Sequence, residues 1–265
     1  MNKKTIQSIF LGMVLLLMYL PILILAVYSF MDSAIIGKSG SFTMKNYVYL
    51  FHSEDLRSMI FGTLILAVVV AVISTILGTL GAIGAFYSSM KFKRPIHLMN
   101  QIPVVNADVV TGFSICVLLI VFFKMDKASY VPLVIGLVSL CSPFVYLSVI
   151  PRLKQMDPQL YEAALDLGCS PFGALRKVVL PQLTSGIVSG FMMSITLTLD
   201  DYFITTYTKP SMFDTISTYV VNATKGAQTD VKTALWALST IIFLIVIFVV
   251  IGMNHTGRKE NDHEI

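Results

Sequence analysis

The sequence predicts an all-α polytopic membrane protein with six transmembrane helices and both termini in the cytoplasm. Three observations lead there: the composition, six separate apolar runs of bilayer length, and the placement of basic residues around those runs. Of 265 residues, 55% are hydrophobic and only 13% charged, where an ordinary soluble domain carries roughly 25% charged residues. Mean hydropathy is +0.79. A water-soluble fold cannot hide that much apolar surface, because part of every fold faces solvent. Disordered, collagen-like and coiled-coil chains are excluded by the same figures.

A hydrocarbon core about 30 Å thick takes about 20 residues of helix. Runs of that length lie at residues 9–30, 59–87, 99–123, 131–150, 186–207 and 234–253. The first, third and fifth contain proline or polar interruptions, which membrane helices tolerate when neighbouring groups satisfy the freed backbone. Lys3 and Lys4 precede the first run. At about 22 residues it is longer than a signal-peptide core and has no small-x-small site after it, so an uncleaved helix is expected.

Basic residues beside the spans set the orientation. Lys3, Lys4, Lys91, Lys93, Arg94, Arg152, Lys154, Arg176, Lys177, Arg258 and Lys259 fall on one side, 11 of the 19. The other side takes Lys38, Lys45, Arg57, Lys124, Lys127, Lys209, Lys225 and Lys232, which is 8. The richer side is the cytoplasmic one. The first outer loop carries Phe42, Tyr47, Tyr49 and Phe51, suited to an aromatic interfacial belt or to an amphipathic element on the outer face. With no repeat, low-complexity tract or soluble stretch, residues 1–265 read as one membrane domain. Bases dispersed among apolar runs do not make a nucleic-acid surface. Cys116, Cys141 and Cys169 form no disulfide framework and are expected as free thiols.

Residues 151–182, between the fourth and fifth runs, carry helix punctuation that a plain connector would not need. Asp157 is a good N-cap and Pro158 suits the first helical position. That helix, 158–167, ends at Gly168, the usual residue just past a C-terminus. Ser170 and Pro171 repeat the signal and start a second short helix toward Val179, and Pro181 marks the start of the fifth span. Leu160, Ala163, Ala164 and Leu167 fall on one side of the first helix, with Glu162 at its edge. Such a helix can lie on the lipid surface, or its small residues can admit another protein's surface.

The spacing Glu162-Ala163-Ala164, three residues, Gly168, nine residues, Val178, one residue, Leu180-Pro181 resembles the EAA loop of ABC-importer permeases. That pattern has Ile where this chain has Val178. The resemblance implies the type I ABC-importer permease fold, with a core unit at about 60–253. It also makes 151–182 a coupling segment docking on a cytoplasmic ATPase through Glu162, Ala163, Ala164 and Gly168. The chain has no Gly-x-x-x-x-Gly-Lys-Ser/Thr loop. A separate ATPase dimer is therefore expected to use the ATP, and the chain itself is expected to be no enzyme and to bind no cofactor or metal.

Ionisable groups within a span are costly and are functional candidates by default. Asp108 lies in the third run, and Asp200 and Asp201 in the fifth. Asp200, fourteen residues past Gly186, sits about 21 Å along the helix at 1.5 Å per residue, toward the outer face. Helical neighbours point about 100° apart, so the two acids diverge. Ser194, Thr198 and Asp201 form one polar stripe; Thr196 and Asp200 form another. With no Lys or Arg in these spans, a cationic substrate would supply the missing charge, and Tyr202 and Tyr207 would add cation–π contact. The bland alternative is an acid that bonds helix ends at a packing interface. Asp108 and Asp201 are the expected cation partners, and Asp200 the one more apt to face a neighbouring helix.

Leu199-Asp200-Asp201-Tyr202-Phe203, the stretch 103–112 and the Phe42-Thr43…Asn46-Tyr47…Leu50-Phe51 loop are similar to the spermidine/putrescine (polyamine) branch of those permeases. That resemblance implies an inner-membrane subunit working with a second, homologous permease and a periplasmic or lipid-anchored polyamine-binding protein. Related branches carry other organic cations or metals. A proton-coupled secondary transporter leaves the Glu-Ala-Ala segment unexplained. An intramembrane aspartyl enzyme needs acids that share a proton, and Asp200 and Asp201 diverge.

The orientation is directly testable. A cysteine at position 225 is expected to react with an impermeant thiol reagent on intact cells, and one at position 93 is not. The reverse pattern would overturn the assignment of sides.

Overall fold

The structure is a computed structural model describing residues 3–33, 40–106, 108–157, 159–224, 233–244 and 247. Regular structure among the described residues is helical apart from one isolated antiparallel bridge, Met31 to Phe42. Among the described residues, three helices are long and apolar enough to cross a membrane unbroken: Phe10–Tyr28, Glu54–Tyr87 and Val131–Gln155. Two further apolar segments are bent pairs rather than single rods. The chain divides into two compact units, one of residues 1–58 with 220–265 and one of 59–219.

In the first unit, α1 (Lys3–Tyr28) meets the apolar helix Thr233–Leu244 through Tyr19 against Phe243 and Tyr28 edge-on to Trp236, ring centroids 6.4 and 6.0 Å apart. The short helix α2 (Lys45–His52) is tied to the end of α1. Asn46 Nδ2 donates to the Ser29 and Met31 carbonyls at 2.7 and 3.0 Å. Residues 245–246 and 248–253 of the expected sixth span lie outside the described residues, as do Lys225, Lys232, Arg258 and Lys259.

The second unit is built around α6 (Val131–Gln155), which opens with Pro132 and closes with Arg152 and Lys154, both favourable at their helix ends. Against it lie α3 (Glu54–Tyr87) and α10 (Thr184–Asp200), separated from it by glycine. A Cβ on Gly78 of α3 would stand 2.6 Å from Val145 Cβ and 2.8 Å from the Ser142 carbonyl oxygen. On α10, a Cβ on Gly190 would stand 3.1 Å from Val145 Cα, and one on Gly186 3.0 Å from the Ser148 carbonyl. Lipid offers no hydrophobic drive for one helix to seek another, so dense contact between small residues has to supply the attraction. Gly186, Gly190, Ser194 and Thr198, at four-residue spacing, are all buried along that seam.

Two expected spans are broken, for identifiable reasons. The third run becomes α4 (Met90–Val105) and α5 (Asp108–Cys116), bent by 105°, with α5 continuing into a π-helical stretch, Val117–Phe122. Asn106 is extended and Asp108 occupies the first turn of α5, where a negative charge suits the helix N-terminus. The fifth run ends at Asp200; Asp201 is extended, and a separate helix α11 (Phe203–Thr208) follows. Asp201 Oδ2 accepts from the Thr205 N–H at 2.7 Å and from its hydroxyl at 2.8 Å, which serves the start of α11.

The seam sets a clear expectation. Gly78→Ala and Gly190→Ala each force backbone apart, an overpacking cost of about 1–3 kcal/mol. Gly84→Ala meets nothing within 4 Å and is expected to be neutral or slightly stabilising. Thermal unfolding of the purified variants in detergent measures this. Equal midpoints for Gly78→Ala and wild type would contradict the close approach.

Candidate functional site

On one end of the second unit, residues 156–183 form a folded projection. Asp157 Oδ1 accepts from the Gln159 N–H at 2.9 Å at the start of α7 (Gln159–Asp166); Pro158 is outside the described residues. The helix ends in a two-bond C-terminal cap. Cys169 N–H bonds the Ala164 carbonyl at 3.0 Å and Gly168 N–H the Leu165 carbonyl at 2.9 Å. Gly168 sits at φ +88, a left-handed conformation that costs glycine nothing. Ser170 then accepts from the Gly173 N–H at 3.2 Å and caps α8 (Pro171–Ala174).

The second short helix does not stop at Val179. Its backbone widens into a π-helical turn, Leu175–Val179, and runs on as α9 (Leu180–Gln182), meeting α10 at a 71° bend. Pro181 cannot donate to the helical ladder, and just before it the Leu180 N–H reaches five residues back to the Leu175 carbonyl. Val179 and Leu183 are buried with Val149, Leu153 and Met156 of α6 and its end. Tyr161 packs on Tyr87 of α3, centroids 4.9 Å apart. The projection is therefore anchored to two membrane helices.

Its outer surface differs from the face expected of α7. Glu162, Ala163 and Gly168 are exposed, but Ala164 is buried inward. Leu167 is 87% exposed and Phe172 75% exposed. Phe172 was not legible as a site residue, since its exposure depends on how the Ser170 cap turns the chain.

At the opposite end of α10, the chain breaks place Asp200 and Asp201 just before α11 and Asp108 at the start of α5. α11 packs between α5 and α6. Its Ile204, wholly buried, is held against two glycines. A Cβ on Gly112 would lie 3.1 Å from Ile204 N and Cα, and one on Gly136 2.8 Å from Ile204 Cγ2. Cys116 Sγ adds a contact to the Tyr207 carbonyl at 3.3 Å. This packing sets α5, whose first turn carries Asp108, beside the helix that begins two residues after Asp201.

Asp108 and Asp200 are exposed, whereas Asp201 is 8% exposed and engaged with Thr205. Their exposures are the reverse of the order expected for Asp200 and Asp201. Thr198 is 1% exposed, donates to the Ser194 carbonyl at 2.8 Å and touches Cys141 Sγ at 3.6 Å, inside the α6–α10 seam. Tyr202 is half-buried, its ring edge-on to Phe203. Behind them, residues 209–218 are clasped to the helices. Lys209 Nζ lies 2.7 Å from Asp214 Oδ1, Thr218 Oγ1 donates to the same oxygen at 3.1 Å, and Ile216 N–H donates to Thr63 Oγ1 at 3.1 Å. Ser217 Oγ reaches the Asp200 carbonyl at 3.4 Å. Among the described residues no group of three or more His, Cys, Asp or Glu is placed to hold a metal ion.

Comparison with known proteins bears on this arrangement. Residues 78–256 match the family described as "Binding-protein-dependent transport system inner membrane component". The chain is 29% identical over 245 residues to the spermidine/putrescine transport system permease protein PotC of Escherichia coli, covering 92% of this chain and 90% of that one. It is 29% identical over 238 residues to the putrescine transport system permease protein PotI of the same organism, covering 85% and 81%. A crystal structure of a bacterial alginate ABC transporter, in complex with an alginate-bound periplasmic protein, superposes with a TM-score of 0.71 at 16% identity, over 92% of each chain; at that identity the likeness is one of fold. Family match, coverage and apolar helices together make this a multi-pass inner-membrane transport subunit and not an enzyme, and the chain belongs to the binding-protein-dependent transport system inner membrane component family.

Proposed function

We propose that this chain is a permease subunit of an ATP-driven, binding-protein-dependent importer of polyamines, of the spermidine/putrescine class. The observation that carries the reading is that α11, which begins just after Asp200 and Asp201, packs on α5, whose first turn carries Asp108. A polyamine bears ammonium groups several ångströms apart and needs separated anions. Asp108 and Asp200, both exposed, are the cation partners; Asp201 and Thr198 hold the wall behind them, and Tyr202 offers a ring beside it. The PotC and PotI likeness supports the same substrate class.

The complete domain spans the bilayer six times with both termini cytoplasmic. It pairs with a second, homologous permease, receives substrate from an external binding protein and docks on an ATPase dimer that uses the ATP. Glu162, Ala163 and Gly168, joined by Leu167 and Phe172, form the docking face, with Ala164 fixing α7 from beneath. α10 is the mechanical link. One end is joined through buried Leu183 to the coupling projection, and the other carries Asp200. Seventeen residues of helix make it a rod about 25 Å long. Motion imposed by the ATPase on the projection thereby reaches the acids and exposes them to alternate sides.

Two expectations follow from these assignments. Glu162→Lys leaves the protein in the membrane and abolishes ATP-driven uptake, because a reversed charge disrupts the docking face; ATPase co-purification at wild-type yield with normal uptake would sink the assignment. Asp108→Asn and Asp200→Asn each lower polyamine uptake by about tenfold or more, equivalent to about 1.4 kcal/mol. Radiolabelled spermidine and putrescine uptake, with other organic cations and divalent metals as competitors, reads both size and class. Wild-type uptake and cation preference in the Asp108→Asn/Asp200→Asn double variant would place the cationic path elsewhere.

A further inference from the structure

At the coupling-projection end of the second unit, α3, α4 and α6 enclose a cleft of about 290 Å³ lined by Phe86, Lys93, His97, Tyr146, Ile150 and Lys154. Its walls are apolar and aromatic, while two lysines from different helices reach it. No carboxylate lines it. Lys93 Nζ stands 5.3 Å from the centroid of the Phe86 ring, a contact that positions the ammonium, and among the described residues it makes no salt bridge. His97 packs on Tyr146 at 6.1 Å and shares a 3.2 Å hydrogen bond with Gln101 Nε2. The cleft's geometry is fixed by packing on α6, where Asn100 Nδ2 donates to the Pro143 carbonyl at 3.2 Å. Lys91 and Arg94 in the first turn and a half of α4, and Arg152 in the last turn of α6, add positive charge at the same end.

We infer that this cleft binds the phosphate of an anionic phospholipid, with Lys93 and Lys154 on the headgroup and the Phe86–Ile150 wall on the glycerol and acyl chain. Two ammonium groups at the edge of an apolar pit suit a ligand that is anionic at one end and hydrocarbon at the other. Free phosphate satisfies only the charge. Basic clefts between membrane helices on the cytoplasmic side have the chemistry that anionic headgroups select. The site is separate from the acids at the far end of α10 and from the exposed face of α7, so it does not depend on which substrate is carried.

The test uses the full-length protein purified in detergent and titrated in native mass spectrometry with phosphatidylglycerol, phosphatidylcholine or inorganic phosphate. Phosphatidylglycerol is expected to bind in preference to both others. Lys93→Gln/Lys154→Gln is expected to weaken it by about tenfold or more, equivalent to about 1.4 kcal/mol, and Lys93→Arg/Lys154→Arg to retain it. Lys154→Gln alone, at an exposed side chain, loses part of the affinity without disturbing the Lys93–Phe86 contact, and reads the same site should the double variant fail to fold. Undiminished phosphatidylglycerol binding in the glutamine variants, equal binding of phosphatidylcholine, or inorganic phosphate binding as tightly as the lipid would each overturn the assignment.

Discussion

Close backbone approach around α6 is the constraint on which the second unit depends. In water, apolar faces would drive helices together with wide tolerance in spacing; in lipid they have to fit. Val145 is held between Gly78 of α3 and Gly190 of α10, and Ile204 of α11 between Gly112 of α5 and Gly136 of α6 itself. These contacts fix two ends at once. Toward one end lie Val149, Leu153, Val179 and Leu183, the base of the 156–183 projection. Toward the other lie Leu133, Leu137, Cys141 and Ile204, the floor beneath the acids. A helix packed by side-chain tips alone could slide or rotate. One packed through glycine against backbone has far less room.

The breaks in the third and fifth apolar segments give those acids a structural setting. Each interruption frees backbone donors and acceptors that lipid cannot satisfy. Asp201 answers this by accepting from the Thr205 N–H, while at the other break the Asn106 side chain bonds the Thr111 hydroxyl at 3.0 Å. Polar residues are required wherever such a chain breaks, and a pathway that needs carboxylates finds them at those same points. Of the adjacent pair, Asp200 is exposed and Asp201 is buried against the next helix. The opposite arrangement was expected from the sequence because helical divergence says that neighbouring acids part company but not which of them turns inward.

What the sequence made legible follows from the range of the interaction behind each feature. The helix caps of the 156–183 projection were readable, since Asp157, Gly168 and Ser170 act on backbone groups within five residues of themselves. Apolar runs announced membrane helices by length alone. Hidden from that reading were the bends. Residues 186–207 look continuous because the break at Asp201 depends on a carboxylate meeting Thr205, and nothing in periodicity records it. Thr198 and Ser194 read as part of a polar stripe with Asp201, and they are buried along the α6–α10 seam. The spacing Gly186-Ile187-Val188-Ser189-Gly190 did carry the signal for that seam. Phe172, Gly112 and Gly136 owe their roles to partners distant in sequence, which no local pattern supplies.

The central claim, that glycine contacts with α11 hold the acid-bearing end together, is tested most directly by a double-mutant cycle at Gly136 and Ile204. A Cβ at position 136 collides with Ile204 Cγ2 at 2.8 Å, and Ile204→Leu removes that branch while conserving volume. Thermal unfolding in detergent is measured for Gly136→Ala, Ile204→Leu and the pair. The packing described here predicts that Gly136→Ala is destabilising and that Ile204→Leu relieves part of the loss, a favourable coupling of at least about 0.5 kcal/mol. Strictly additive losses, or a Gly136→Ala variant as stable as wild type, would contradict it.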